Sequence, residues 1–237
     1  MYKILLAMLV AVALPVSAAE DDAAIRGALA KIIPGMTPDS IKPSGVPGLS
    51  EVVYGAEVYY VSDDGRYFIN GSIVDLKVGK NITEDKRAEG RLAVISAVDE
   101  ADMIVYSPEK VKHSITVFTD IDCAYCRRMH QEMAQVNAAG IEIRYMFFPR
   151  AGKGSKSYSK AVSVWCADDR LKAMDDAKAG KTPPRKSCDN PVDKHMALVE
   201  RLGITGTPTM IMTDGTVIPG YIPAERLIPA LESGRGL

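Results

Sequence analysis

Cys123 and Cys126 are the residues of this sequence whose type and spacing are best suited to chemistry. Two intervening residues place both thiols on one helical turn, so they can join and separate with little backbone movement, as reversible disulfide exchange requires. Cys123 lies at the expected helix N-terminus, where unpaired N–H groups favour an anion, and Arg127 and Arg128 add positive charge. Cys126 falls on the apolar face. We therefore expect Cys123 to attack and Cys126 to resolve.

Two other uses of this cysteine pair are possible besides redox exchange. A purely structural disulfide at this spacing would close almost no loop and would add little stability. A zinc site would need Cys166, Cys188 or His130 as further ligands, and the second cysteine pair lacks the spacing of a zinc finger. Redox exchange is the interpretation that the spacing favours.

The first residues predict export. Lys3 precedes the apolar run of residues 4–14, and Pro15 is followed by the small residues of 16–19. This order is typical of a cleaved signal peptide, here assigned to residues 1–19 with cleavage after Ala18 or Ala19. A membrane anchor is the alternative, but a spanning helix needs roughly 20 apolar residues. In an oxidising compartment, an even number of cysteines is consistent with disulfide chemistry.

Composition limits the remaining classes of function. The 237 residues are 47% hydrophobic and 25% charged, which is ordinary for folded protein, and the formal net charge is −1. Such a balance provides no broad basic field, so we expect neither nucleic acid nor an anionic membrane surface as a partner. We also expect no membrane insertion of the mature chain. The length predicts one or two domains.

The N-terminal part predicts a small domain over residues 20–80. A helix is expected over 22–33, and three segments rich in β-branched and aromatic residues follow, with a turn signal at 63–65 between two of them. This pattern predicts an antiparallel sheet with one helix. A charged helix over 81–101, which Thr83 can cap, is expected to link this domain to the next one.

The cysteines must be positioned by a second domain, expected over residues 102–237. A short buried strand at 115–119 leads into Cys123, and the helix of 122–138 and a strand at 141–148 follow. Helices are expected within 152–180 and over 191–202. Two short strands at 209–212 and 216–218 and a final helix at 224–231 complete the pattern. Strand, helix, strand, inserted helices, hairpin and helix indicate an α/β domain.

A resemblance to a known family rests on several of these motifs together. The sequence Cys123-Ala124-Tyr125-Cys126 with a downstream Thr207-Pro208 resembles the DsbC/DsbG family of periplasmic thiol:disulfide isomerases, as does the stretch of residues 214–221. The order of signal peptide, small β-rich domain, linking helix and redox domain is similar too. The resemblance implies a cystatin-like N-terminal dimerisation domain and a C-terminal thioredoxin fold with a helical insertion.

The resemblance also implies roles for particular residues. Ala124 and Tyr125 would tune the redox potential, although Ala124 departs from the residue typical of either branch and leaves the branch open. Thr207 and Pro208 would bind substrate beside the cysteines, with Pro208 in the cis form. Cys166 and Cys188 would form a structural disulfide in the insertion. His130 would either tune the thiols or be a partly exposed bystander, and the latter is favoured.

The activity that the resemblance implies is the rearrangement of incorrect disulfides in secreted client proteins through a Cys123 mixed disulfide. A homodimer and electrons from the membrane reductase DsbD would accompany it, with no metal or organic cofactor. Three alternatives stay open: a DsbG-like chaperone or reductase that protects single cysteines, a thiol oxidase, and a chaperone whose cysteines matter little.

Overall fold

The computed structural model describes the backbone of residues 17–233 and the side chains of residues 22–233. The predicted signal peptide of residues 1–19 therefore lies outside the described residues, apart from the backbone of 17–19. The described residues form two compact units. One contains residues 17–54 and 59–71, and the other contains residues 55–58 and 72–233. No helix within the described chain has the length and apolarity needed to cross a membrane.

The first unit combines one helix with a four-stranded sheet. Helix α1 (Ser17–Ile32) precedes strands β1 (Ser40–Pro43), β2 (Leu49–Tyr54), β3 (Glu57–Ser62) and β4 (Phe68–Ile69), which lie in the order β1-β2-β3-β4. Side chains of β2 alternate between partly and fully buried, as expected of a sheet with one face on a core. That core contains Ile25, Leu29 and Val52. The predicted sheet with one helix is present.

The predicted linking helix differs from expectation at both ends. A two-stranded hairpin of β5 (Val74–Asp75) and β6 (Lys80–Asn81) leads into helix α2 (Ile82–Ser96). Asn81, not Thr83, caps α2, because its side-chain oxygen accepts the Glu84 N–H at 3.0 Å. Thr83 is buried and accepts the Ile73 N–H instead. The helix ends at Ser96 rather than 101, because Asp99 caps a separate 3₁₀ turn over Glu100–Asp102.

The second unit is built on a five-stranded sheet in the order β11-β10-β8-β9-β7. Its two central strands are parallel, and the outer pairs are antiparallel. The strands are β7 (Ile104–Tyr106), β8 (His113–Thr119), β9 (Ile141–Phe147), β10 (Thr209–Ile211) and β11 (Val217–Pro219). The helices are α3 (Ala124–Gln131), α4 (Met133–Ala138), α5 (Lys156–Trp165), α6 (Arg170–Lys178), α7 (Val192–Arg201) and α8 (Ala224–Ser233).

The central strand β8 is buried on both faces. Val117 belongs to a core cluster with Trp165 and Met210, whereas the next residue, Phe118, belongs to a second cluster with Met146. Successive side chains of a strand point to opposite faces, so both sides of the sheet are covered. Three of the four residues 115–118 are apolar, which is why the sequence predicted a buried strand here.

The helix expected over 122–138 is divided. Its helical backbone is interrupted at Glu132, between α3 and α4. The Glu132 carboxylate accepts hydrogen bonds from the Tyr221 hydroxyl at 2.6 Å and from the Ala224 N–H at 2.8 Å. Ala224 is the first residue of α8, so the interruption positions an acceptor for an otherwise unpaired N–H group of that helix.

Candidate active site

The end of strand β8 delivers Cys123 to the start of α3. Thr119 is the last residue of the strand, and the Asp120 carboxylate accepts the Asp122 N–H at 2.9 Å, which shapes the turn that follows. Cys123 then adopts an extended backbone conformation and serves as the N-cap residue of α3. Its sulfur therefore faces the unpaired N–H groups of the first turn, where a negative charge is stabilised.

The two cysteines are free thiols at the N-terminus of α3. The Cys126 N–H donates to Cys123 Sγ at 3.4 Å, and Cys123 Sγ lies 3.2 Å from the carbonyl oxygen of Thr207. The Thr207–Pro208 peptide bond is cis. The structure thus brings the two cysteines together with Thr207 and Pro208, which lie more than eighty positions later in the sequence. Only 3% of Cys123 and 1% of Cys126 are exposed.

The pKa values of the two thiols are shifted from the ordinary thiol value in opposite directions. Burial alone would raise the pKa of Cys123, but its contact with Thr207, hydrogen bonds from Cys126 and the charge of Arg150 outweigh burial and hold the pKa below its ordinary value. Burial raises the pKa of Cys126, and the positive charge of Lys178 only partly offsets that effect. The first sulfur is the better-stabilised anion.

The cation that acts on Cys123 is not one of the two expected from the sequence. Arg127 donates to the Ile121 carbonyl and pairs with the Asp122 carboxylate, and the Arg128 guanidinium lies 5.4 Å from the centre of the Tyr221 ring. Arg150, which follows β9, lowers the pKa of Cys123 instead. Arg127 and Arg128 are engaged within or beside the helix, and neither is among the groups that most displace the pKa of Cys123.

Asp120 connects Arg150 to the cysteine turn. Its carboxylate is nearly buried and accepts both the Arg150 backbone N–H at 3.1 Å and the Arg150 side-chain Nε–H at 3.2 Å. A buried carboxylate needs such a partner, since an unpaired charge in the interior is strongly unfavourable. Neither residue was identified from the sequence, where no motif marks them.

Lys178 is a third residue that sequence reasoning missed. It ends α6 and is 2% exposed, and its Nζ donates to the Thr119 hydroxyl at 2.6 Å and to the Asp120 carbonyl at 3.1 Å. A signal was present: Lys178 follows the buried residues Met174 and Ala177 at helical spacing, on the face expected to be apolar.

His130 is buried, so the expectation of a partly exposed bystander was wrong. One ring nitrogen lies 3.3 Å from the Tyr145 hydroxyl and the other 3.0 Å from the Asp175 carboxylate. Burial lowers the pKa of His130 despite the nearby Asp175, so the ring is neutral at pH 7. The Tyr106 hydroxyl donates to the same carboxylate at 2.6 Å, which completes a polar network behind α3.

The dipeptide between the cysteines is exposed. Ala124 and Tyr125 both face solvent, and the Tyr125 ring stacks on that of Tyr221 with centroids 6.4 Å apart. Ala124 and Tyr125 form the rim of the site.

Cys166 and Cys188 form a disulfide in the helical insertion, with Cα atoms 5.7 Å apart. They therefore do not meet Cys123 and Cys126, and these two possible zinc ligands are bonded to each other. Among the described side chains, no group of three or more His, Cys, Asp or Glu residues could hold a metal ion. Trp165 lies in the core, as expected, with the Arg170 guanidinium 3.7 Å from its ring centre.

Comparisons with known proteins agree with this geometry. Residues 16–84 match the disulfide bond isomerase protein N-terminal domain, and residues 100–235 match the thioredoxin-like domain. The thiol:disulfide interchange protein DsbC of Escherichia coli K12 is 41% identical over 209 residues, which cover 87% of this chain and 86% of the relative. The DsbC of Dickeya dadantii is 35% identical and covers 98% of this chain and 95% of its own length.

A solved structure extends the comparison. The disulfide interchange protein of Neisseria gonorrhoeae matches with a TM-score of 0.50 and 31% identity, over 56% of this chain and 96% of that one. The expected thioredoxin fold and family are thereby confirmed. On its two domain matches and its identity to these relatives, the chain belongs to the DsbC family of thiol:disulfide interchange proteins.

Proposed function

We propose that this chain is a disulfide isomerase and reductase whose Cys123 thiolate attacks incorrect disulfides of exported proteins. The observation that supports this role is the opposite displacement of two adjacent thiols, with the pKa of Cys123 below and that of Cys126 above its ordinary value. At neutral pH one sulfur is therefore ready to attack, while the other stays protonated until the first has reacted.

The reaction begins when Cys123 Sγ attacks one sulfur of a client disulfide. A Cys123–client disulfide forms, and the second client sulfur leaves as a thiolate. If a different client thiolate attacks the client sulfur of the mixed disulfide, a new client pairing forms and Cys123 leaves as a thiolate. If it does not, Cys126 attacks Cys123, and the client leaves in reduced form.

Thr207 and Pro208 are proposed to hold the client chain beside Cys123. The Thr207 carbonyl already lies at the sulfur, and the cis bond turns the chain immediately before β10. An extended client segment that pairs with this backbone would place its disulfide over Cys123, in the manner of strand addition. Ala124 and Tyr125, at the rim, are proposed to tune the redox potential.

Location and partners follow from the family. We propose that the chain is periplasmic, that residues 20–80 form a dimerisation domain, and that the functional unit is a homodimer, since residues 16–84 match the N-terminal domain of disulfide isomerases. An isomerase must be kept reduced in an oxidising compartment, and we propose the membrane reductase DsbD as its electron donor. Sedimentation of the mature chain tests the dimer, and the redox state of Cys123 in cells lacking the reductase tests the donor.

Refolding of scrambled ribonuclease tests the central proposal. Wild type is expected to restore ribonuclease activity, Cys123→Ser to restore none, and Cys126→Ser to accumulate a mixed disulfide that reducing gel conditions release. Ribonuclease recovery that survives Cys123→Ser would overturn the proposal. If only suppression of aggregation survives, the chaperone alternative gains support; protein trapped from cells with oxidised Cys123–Cys126 would instead support the oxidase.

A further inference from the structure

Lys178 is a buried amine that the proposed exchange reaction does not use. Its residue is 2% exposed, although the unfavourable transfer of an ammonium group from water requires compensation. Buried lysines of proteins are normally paired with a carboxylate. Both hydrogen-bond acceptors of Lys178 are neutral, since they are the Thr119 hydroxyl and the Asp120 backbone carbonyl. The ion pairs among the described side chains do not include it.

The group that Lys178 faces through Thr119 is the thiol of Cys126. The Thr119 hydroxyl hydrogen-bonds both the Lys178 amine and the Cys126 sulfur, and the charge of Lys178 acts directly on Cys126. Thr119 and Cys126 are each 1% exposed, so water does not reach this chain of three groups readily. Cys126, Thr119 and Lys178 thus form a buried line from sulfur to amine.

We propose that Lys178 is a positioning residue for the release step, taking the Cys126 proton through Thr119 and then stabilising the Cys126 thiolate. The inference rests on the proposed function, because it concerns the step in which Cys126 frees a client from Cys123. Supporting it, burial lowers the pKa of Lys178 to about 8, so a fraction of the amine is neutral at pH 7 and can accept a proton.

The step balances without any further reactant. Cys126 gives its proton to the Thr119 hydroxyl, which passes its own proton to the neutral amine. The Cys126 thiolate then attacks Cys123 Sγ, so the Cys126–Cys123 bond forms and the Cys123–client bond breaks. The client sulfur leaves as a thiolate and takes a proton from water. The ammonium group now faces a neutral disulfide and returns its proton to solvent, which completes the cycle.

The pH dependence of the release step is set by Lys178 together with the titratable groups around it. At low pH the amine is fully protonated and cannot accept the Cys126 proton, so the release rate should rise with pH toward the pKa of Lys178. Several titratable and charged groups face Lys178 or act on it. They are Cys123 at the N-cap of α3, Cys126, Arg127 and His130 of α3, Asp120 after β8, and Tyr145 of β9, whose ring centre lies 5.6 Å from Nζ.

Single-turnover kinetics of the full chain test the proposal. Reduced protein is mixed with a fluorescent peptide disulfide, and acid-quenched samples give the rates at which the Cys123–peptide disulfide forms and decays. Lys178→Met should raise the pKa of Cys126, and a rise that lowers the thiolate fraction about tenfold would also make the remaining thiolate more nucleophilic. The two effects partly cancel, so decay at pH 7 should slow by roughly threefold or more. Formation should stay near the wild-type rate. Unchanged decay would overturn the proposal.

Two further variants separate this role from packing. Lys172→Met removes an exposed lysine of the same helix that pairs with Asp176, and it should leave both rates unchanged. Thr119→Val keeps the shape of the side chain but removes the hydroxyl, and it should slow decay as Lys178→Met does. Decay in Thr119→Val at the wild-type rate would contradict the relay.

Direct titration of Cys126 distinguishes an electrostatic role of Lys178 from a purely structural one. In a Cys123→Ser background, the thiolate absorbance of Cys126 should appear at higher pH when Lys178→Met is added and not when Lys172→Met is added. An unmoved titration would also overturn the proposal. A wild-type protein that never forms the peptide disulfide would instead refute the proposed function, so the two failures are distinguishable.

Discussion

The sulfur of Cys123 lies 3.2 Å from the carbonyl oxygen of Thr207, a residue 84 positions away in the chain. This contact joins the N-terminus of α3 to the loop that enters β10. The attacking sulfur therefore lies directly beside the backbone that is proposed to hold a client. The contact also means that the acidity of Cys123 depends on the folded domain rather than on its own helix alone.

The two thiols should differ in alkylation by iodoacetamide. Cys126→Ser leaves Cys123 as the single free thiol, and its rate should reach half of its maximum below the ordinary thiol pKa of 9.0, because the folded site stabilises the thiolate. Cys123→Ser leaves Cys126, which should react slowly and at higher pH because burial disfavours its anion. Unfolding in urea should remove the difference. Equal profiles in the folded proteins would contradict the assigned roles.

Arg150→Met should make Cys123 less reactive at pH 6, because the charge that lowers the pKa of its thiol is lost. The side chain of Arg150 is 46% exposed, so solvent screens its charge and we expect a loss of only about two- to threefold in alkylation rate. Arg150→Lys should retain most of the rate. Arg185→Met, an exposed arginine of the insertion, serves as the control, and an equal loss there would refute the assignment.

Lys178→Met should stabilise the reduced protein at pH 7. Because the folded-state pKa of Lys178, about 8, lies below the ordinary lysine value of 10.5, the unfolded wild-type chain binds more protons between these pH values. The stability of wild type therefore rises with pH across that interval. The advantage of the variant should reach up to about 3 kcal/mol below pH 8 and disappear above pH 10.5. Urea titrations at pH 7 and pH 10.5 measure it, and a variant that is less stable at pH 7 would contradict the prediction.

Glu132→Ala should destabilise the domain by about 1–3 kcal/mol, since the Ala224 N–H and the Tyr221 hydroxyl lose a charged acceptor. Glu132→Gln keeps an acceptor oxygen and should lose less. Glu89→Ala, on the exposed side of α2, provides the comparison and should change stability by no more than about 0.5 kcal/mol. Thermal or urea unfolding of the three variants measures these changes. A loss of stability for Glu132→Ala no larger than that for Glu89→Ala would contradict the role of Glu132 as a stabilising acceptor.

Replacement of both Cys166 and Cys188 by serine should lower the free energy of unfolding by roughly 3 kcal/mol, because the bridge closes a loop over a sequence separation of 22 residues. The exchange activity should persist, since neither sulfur reaches the candidate site. Loss of ribonuclease refolding in a double variant that remains folded would show instead that the second pair takes part in the reaction.

Much of the molecule could be read from local patterns. The parallel strand β8 was visible because a buried strand is a run of apolar residues, and the reactive pair was visible because two thiols on one turn can exchange. The division at Glu132 was not visible, because the helical pattern continues through it and the carboxylate bonds to residues about ninety positions later.

The order of the residues therefore specifies the chemistry available to the site: which cysteines are paired on a turn and which strand delivers them. The environment of those sulfurs depends instead on how the folded chain packs. Arg127 and Arg128 are adjacent in sequence but have other partners, whereas Arg150, Thr207 and Lys178 reach the cysteines from three separate segments. The pKa of a thiol depends on burial and on charges a few ångströms away, and these distances are set by the packing of the chain rather than by the order of its residues.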